Sequence, residues 1–232
     1  SNFAVVFSNF YVTIKGGVKV DIWEMLLNTM LYAGMCSIIS SFVPCVMGYV
    51  TAKYKYRFNA VLNTFVIFAM SFKVVGAYPA EVAVLKQLGL YDQIYGAWIQ
   101  KIAFIGIYYF IYQAAFYNIP NDYLDSARID GASEYMVMFR VMIPLVKNVF
   151  FTIVLLNFIG YWNDYQAPNL YIPSWPILTF GLHWLEQNIA QEMSSEPARI
   201  AGCIIVAIPI LIIFLAFKSR IMGSITFGGI KE

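Results

Sequence analysis

Charge is what this sequence has least of. Asp and Glu number 13 and Lys and Arg 15 in 232 residues, so 12% of the chain is charged, against roughly 25% in an ordinary soluble domain. The hydrophobic share is 60% and the mean hydropathy is +0.67. A soluble fold of this length could not hide so much apolar surface, so lipid is the expected solvent for most of it. The net charge of +2 gives no support to a nucleic-acid partner or a basic membrane-surface binder. There is one histidine, His183, and the three cysteines, Cys36, Cys45 and Cys203, lie in apolar segments with no Cys-x-x-Cys pair. No metal site or disulfide is expected, and the thiols read as small buried hydrophobes. No Gly-x-x-x-x-Gly-Lys-Ser/Thr run occurs, which excludes a phosphate loop in this chain, and no cluster of acid, base and nucleophile marks a catalytic centre. The opening stretch 3–14 is apolar but short, carries Asn9 and lacks a basic start, so it does not read as a signal peptide.

What is present is a series of apolar runs. A spanning helix needs about 20 mostly apolar residues, and five segments qualify: 25–52, 58–78, 96–116, 146–165 and 200–217. The first exceeds what a span requires and contains Pro44, which predicts tilt and a possible kink. One set of loops carries nine of the fifteen basic residues, including the compact run Lys53-Tyr54-Lys55-Tyr56-Arg57, and the other set carries six. That bias predicts a cytoplasmic C-terminus. Almost no ionisable group lies near mid-membrane. Lys73 and Lys101 are the deepest, and both can reach the outer interface by snorkelling. A proton- or sodium-coupled pump would keep a buried charge, so that class is disfavoured.

The most polar stretch between apolar runs is Leu124-Asp125-Ser126-Ala127-Arg128-Ile129-Asp130-Gly131-Ala132-Ser133, closed by Val141-Met142-Ile143-Pro144. Pro120-Asn121-Asp122 reads as a helix start in which Asp122 can cap free amides. Asp125 follows in the first turn, where the helix dipole favours an acid by under about 1 kcal/mol. Gly131 is expected to end that helix at positive φ, and Ser133 to cap a second one. Two helices around a glycine turn make a compact knob. On the other side, 78–95 contains Pro79 and the turn Leu88-Gly89-Leu90. The long loop 167–199 holds four prolines, an amphipathic piece over 178–189, and Trp175 and Trp184. Asn157, Tyr161 and Asn163 are the polar residues of the fourth apolar run that could line a path, although such residues also bond neighbouring helices.

The spacing from Asp125 through Gly131 to Pro144 resembles the "EAA" loop of bacterial ABC-importer permeases, with Asp125 and Ser126 where that family usually has Glu and Ala. Asn118-Ile119-Pro120 with Leu124, Trp162-Asn163-Asp164-Tyr165, Leu178-Thr179-Phe180-Gly181-Leu182 and the ending Met222-Gly223 with Gly228-Gly229-Ile230-Lys231 resemble further elements of the same family. The likeness runs from about Asn28 to Glu232 and is nearest to the MalG-like permeases of carbohydrate importers; Ser71-Phe72-Lys73 departs from it. The resemblance implies an all-α polytopic bundle of the type I importer fold in the bacterial cytoplasmic (inner) membrane. It implies six spans, so one is expected before Ser1, with 1–24 as an external segment and 25–232 as the permease domain. It implies a cytoplasmic coupling loop at about 118–145 that docks on an ATPase through Asp125, Ser126, Ala127, Arg128, Asp130, Gly131, Ala132 and Pro144. It also implies an external loop at 167–199 that meets a sugar-binding protein, for which Trp175, Trp184 and Gln187 are the candidate contacts. The expected partners are a second permease, two ATPase subunits that hold ATP and Mg, an extracellular or periplasmic binding protein, and membrane lipid. The expected cargo is a sugar or oligosaccharide. Another solute, such as a polyol or glycerol phosphate, is the alternative within the class, and a channel or receptor-like membrane protein the alternative outside it.

Overall fold

Among the described residues two short strands come first, β1 (Tyr11–Thr13) and β2 (Lys19–Asp21), paired antiparallel with Val12 opposite Val20. Both valines are buried, while Thr13, Lys19 and Asp21 face out. Gly17, at φ +76°, turns the chain between them. The alternation in Tyr-Val-Thr and Lys-Val-Asp around Gly16-Gly17 is the local signal for this hairpin, and it qualifies the all-α expectation for 1–24. The computed structural model describes residues 10–14, 17–72, 76–189 and 196–225, and of 186–189, 196–199 and 217–225 it describes the backbone only. Lys73, the Gln187 side chain and the Gly-rich ending therefore lie outside the described residues.

The remaining regular structure among the described residues is helical. α1 (Ile22–Lys53) is a single 32-residue helix that continues through Pro44, which at 1.5 Å per residue makes it about 48 Å long. Three of its hydroxyls are paired within the helix: Thr29 Oγ1 donates to the Met25 carbonyl at 2.6 Å, Ser37 Oγ to Gly34 at 2.8 Å and Thr51 Oγ1 to Met47 at 2.9 Å. Pairing of that kind is what an apolar medium demands of a polar group. There follow α2 (Phe58–Ser71), α3 (Ala77–Gln87), α4 (Ile94–Gln100), α5 (Ile107–Tyr117), α6 (Asp122–Ile129), α7 (Glu134–Met136), a π-helical stretch (Val137–Met142), α8 (Ile143–Leu145), α9 (Lys147–Asn163), α10 (Gln166–Tyr171), α11 (Leu178–Ile189) and α12 (Glu196–Ile225).

Among the described residues, α1 is long and apolar enough to cross a membrane by itself. The arm Glu134–Leu145 with α9 qualifies as a pair bent by 76°. The run 96–116 is not one helix. α4 stops at Gln100, residues 102–105 are irregular, and α5 starts afresh after Gly106, whose backbone is extended. The polar pair Gln100-Lys101 ends α4, and the Lys101 ammonium sits 5.4 Å over the Tyr161 ring rather than extending into solvent. Pro79, in the 78–95 stretch, is inside a helix. It lies in the first turn of α3, where its missing amide costs nothing.

The chain divides into two units: 1–37 with 76–101 and 157–216, and 38–75 with 102–156 and 217–232. In the first, Trp162, fully buried, donates from Nε1 to the Val206 carbonyl at 3.3 Å, and Val12, Met25 and Leu178 share its core. Thr29 Oγ1 also accepts the Leu178 amide at 2.8 Å, and Asn28 Nδ2 donates to the Pro176 carbonyl at 3.2 Å, so α1 fixes the start of α11. In the second unit, Tyr49, Tyr112, Phe116, Leu124 and Met142 form the core. Phe65, Ile67 and Phe68 of α2 and Leu211, Ile212 and Leu215 of α12 are exposed large apolar groups, a surface that suits lipid rather than water.

Candidate functional site

The knob forms as the residues dictate, with two exceptions. α6 starts after Asn121, whose carbonyl accepts the Leu124 and Asp125 amides at 2.8 and 3.1 Å. No side chain caps it. Asp122 is already inside the first turn, and the Asn121 Oδ1 accepts instead from Lys53 Nζ at 3.1 Å. Asp130 ends the helix and Gly131 turns at φ +80°. The Gly131 amide reaches the Arg128 carbonyl and the Ala132 amide reaches the Ala127 carbonyl, both at 3.0 Å, which is the paired closure of a Schellman end. Ala127 and Ala132, half-buried, seat this turn on the core of the unit. Ser133 then caps α7, its Oγ accepting the Met136 amide at 3.4 Å.

The second arm is not an ordinary helix. Val137–Met142 is π-helical, and the Ile143 amide reaches back to the Met138 carbonyl. Pro144, exposed and without an amide to donate, sits in the following turn. Such insertions recur at functional sites. This one buries Val137, Met138 and Met142 while turning Phe139 outward onto Phe42, with ring centroids 6.2 Å apart.

Arg128, an expected contact for an ATPase, also binds within the knob. Its Nε and Nη2 bind the two oxygens of Glu134 at 2.9 and 3.1 Å, and its Nη1 lies 3.6 Å from Asp125. Its guanidinium is 5.9 Å from the Tyr54 ring centroid, and Tyr54 also donates a short hydrogen bond to Glu134. The bidentate geometry is the strong form of such a pair. It joins the two arms across the glycine turn, leaving Asp125, Ser126 and Asp130 on the exposed side of the knob. Sequence reading missed Glu134 and Tyr54, because nothing in their spacing announces a shared partner. It also missed Ile129 and Tyr135, which are 86% and 77% exposed at the tip. Large apolar groups held out of the core on a polar knob are the residues a protein partner would cover. Pro120, Tyr123, Ser126, Asp130 and Val141 border an open cleft of about 550 Å³ on the same knob.

Arg128 and Tyr54, by hydrogen bonding, hold the Glu134 carboxyl below its ordinary range, and Glu134 in turn pushes the Arg128 group upward. Because the folded value for Glu134 is depressed, its contribution is present above the ordinary glutamate range and is lost as pH falls through the folded value. Protection of the amides of 126–136, corrected for the intrinsic pH dependence of exchange, is therefore expected to be insensitive to the ionisation of Glu134 between about pH 6 and 8, and to fall below about pH 4. Glu134→Gln should remove most of that acid response; an identical acid profile in the variant would show that the pair does not hold the knob.

In the first unit Asn157 and Tyr161 stand one turn apart on the same face of α9, and Asn163 on another. Tyr161 packs edge-on to Tyr32 at 5.9 Å. Asn163 lies two positions on, about 200° around the helix, and its amide donates to its own Ile159 carbonyl at 2.8 Å. Asn157 is half-buried. Trp175 and Trp184 are also half-buried rather than free: Trp175 packs on the cluster of Tyr171 and Ile172, and Trp184 borders a different feature. That feature is an open cleft of about 570 Å³ walled by Tyr165, Phe180, His183 and Trp184, with the exposed amides of Gln166 and Asn169 at its rim. The His183 and Tyr165 rings are 4.7 Å apart. Two bridges pin neighbouring elements: Tyr171 donates a short hydrogen bond to Glu81, and Asp92 accepts from the Ser174 amide and hydroxyl at 2.8 and 2.7 Å. Among the described residues no cluster of three or more His, Cys, Asp or Glu could hold a metal.

A helical chain whose exposed apolar faces suit lipid, and which carries a polar knob, has the character of a membrane component. Residues 5–222 match the family described as "Binding-protein-dependent transport system inner membrane component", and the chain belongs to that family. The chain is 26% identical over 231 residues to the arabinooligosaccharides transport system permease protein AraQ of Bacillus subtilis (strain 168), covering 97% of this chain and 79% of that protein. It is 24% identical over 212 residues to the diacetylchitobiose uptake system permease protein NgcG of Streptomyces coelicolor, covering 90% and 70%. A solved bacterial ABC transporter involved in the import of the acidic polysaccharide alginate shares the fold, with a TM-score of 0.69 at 23% identity over 94% of this chain and 78% of that one. The family likeness read from the loop spacing is thus upheld.

Proposed function

We propose that this chain is one permease subunit of an ATP-driven, binding-protein-dependent importer for a sugar or oligosaccharide. The observation that carries the reading is the match to AraQ along 97% of the chain, joined to a knob whose exposed tip, Ile129 and Tyr135, suits a partner protein. The partners are a second permease, two ATPase subunits that bind ATP and Mg, and an external binding protein. ATP closes the ATPase dimer, the knob docked on it through Asp125, Ser126 and Asp130 moves too, and the spans exchange outward and inward access. Gly131, Ala127, Ala132 and Pro144 serve by fixing the shape of the knob. The C-terminus is cytoplasmic, and the 167–199 loop faces outward. The aromatic and amide lining of the outer cleft supports a meeting with a carbohydrate or its carrier there, since rings offer apolar faces and amides offer oriented hydrogen bonds.

Purified complex in proteoliposomes tests this. ATP hydrolysis should rise when the binding protein is loaded with an oligosaccharide from a panel of neutral sugars, and the same sugar should accumulate inside. Stimulation by polyols or glycerol phosphate alone would transfer the chain to another solute, and ATP-independent flux would make it a channel. Shortening 187–195 should impair stimulation by the loaded binding protein while basal hydrolysis persists. Unchanged stimulation would make that loop a cover rather than a contact.

A further inference from the structure

The end of α1 grips the knob at both ends. Lys53, the last residue of the helix, donates from Nζ to the Ile119 carbonyl at 2.5 Å and to Asn121 Oδ1 at 3.1 Å. Those acceptors lie just ahead of α6. Tyr54, the next residue, donates to Glu134 and lies beneath Arg128, and these two stand on either side of the turn after α6. The gripping turn is itself fixed. The Tyr54 amide continues the helical ladder to Val50 at 3.0 Å, and Asn59 Nδ2 donates to the Thr51 and Tyr54 carbonyls at 3.1 and 2.7 Å. The Tyr49 and Tyr54 rings pack edge to face at 5.9 Å and their hydroxyls share a hydrogen bond at 3.4 Å.

We propose that Lys53 and Tyr54 form a two-point clamp through which movement of the knob is carried into α1. The proposal rests on the docking role given to the knob above. Its physical basis is that one contact is a pivot, whereas two contacts on opposite ends of α6 transmit rotation as well as translation. The covalent connection on the C-terminal side serves less well. The arm Glu134–Leu145 meets α9 at 76°, so a push along that arm is not delivered along the α9 axis. α1 is a 32-residue helix without a break. The bonds of the clamp to Asn121 and Glu134 are charge-assisted, the strong class. The same helix carries Asn28 and Thr29, which hold the start of α11. Lys53 and Tyr54 are thus positioning residues and touch no substrate.

The test uses the complete reconstituted complex. Lys53→Met and Tyr54→Phe keep the apolar bodies and delete the polar contacts. The ATPase subunits should still co-purify and basal hydrolysis should persist, while sugar taken up per ATP falls about fivefold in each single variant and more than about tenfold in the double variant. Then Lys53→Cys with Asn121→Cys, in a chain carrying Cys203→Ser and the buried Cys36 and Cys45, is bridged by a short bifunctional thiol reagent. Bridging should restore uptake per ATP, because knob and helix move as one. Unchanged uptake per ATP in the double variant overturns the proposal. So does arrest of uptake by the bridge, which would show that the two part during the cycle, and so does loss of the ATPase subunits from the double variant, which would reduce the clamp to a support of the knob. Failure of the docking reading shows separately, as undiminished co-purification of the ATPase with Asp125→Lys.

Discussion

Gly131→Val is expected to leave the chain inserted and the complex's other subunits intact, yet to lower uptake at least about tenfold. The position turns at φ +80°, where a branched side chain is strained by about 1–2 kcal/mol or more. Crowding is not the cause, since a Cβ there meets nothing within 4 Å. Relief of the strain unwinds the closure in which the Gly131 and Ala132 amides reach Arg128 and Ala127, and the second arm is then misaimed. Gly131→Asn is the informative companion, because asparagine tolerates this conformation, and it should transport nearly as the parent does. Asp125→Lys attacks the same knob by charge, placing a second cation where Arg128 now has a carboxylate at 3.6 Å. It should abolish uptake with insertion unchanged, whereas Asp125→Glu should be mild. Normal uptake in both Gly131→Val and Asp125→Lys would end the docking reading.

Gly48→Leu should cause the largest loss of stability. A Cβ at Gly48 would lie 2.7 Å from Tyr112 Cβ, 2.9 Å from the Gln113 amide nitrogen and 3.2 Å from the Tyr109 carbonyl oxygen. Two of these are backbone atoms, so α1 and α5 must move apart. Overpacking of this kind costs about 1–3 kcal/mol. Separation also opens the buried bond from Gln113 Nε2 to Thr51 Oγ1 at 3.0 Å, which joins the two helices. The readout is the melting temperature and yield of the chain in detergent, with Gly48→Ala already lowered. Gly34→Ala is the control. Nothing lies within 4 Å of its Cβ, and replacing a helical glycine by alanine gains about 0.5–1 kcal/mol. Equal melting for the two alanine variants would show that the close approach is not structural.

Much of this protein is settled by residue type and spacing. Low charge and long apolar runs select lipid as solvent, because no soluble fold of this length buries 60% hydrophobic residues. Gly131 and Ser133 write the turn and the cap of the knob locally, since positive φ and a free amide are requirements of a few adjacent residues. The spacing from Asp125 to Pro144 names the family for the same reason. What the tertiary structure decided lies between residues far apart in sequence. Arg128 reads in the sequence as a group for an external partner, and packing also gives it Glu134 and Tyr54, the latter from a turn 74 residues earlier. Lys53 reads in the sequence as one charge of a topological signal, and packing also gives it the Ile119 carbonyl and Asn121. The 96–116 run looked like one span, but Lys101 finds the Tyr161 ring and the helix ends there. Composition fixes which medium a segment prefers; which partner a charge or hydroxyl takes depends on what packing brings within about 3 Å of it, and no periodicity in the chain encodes that distance.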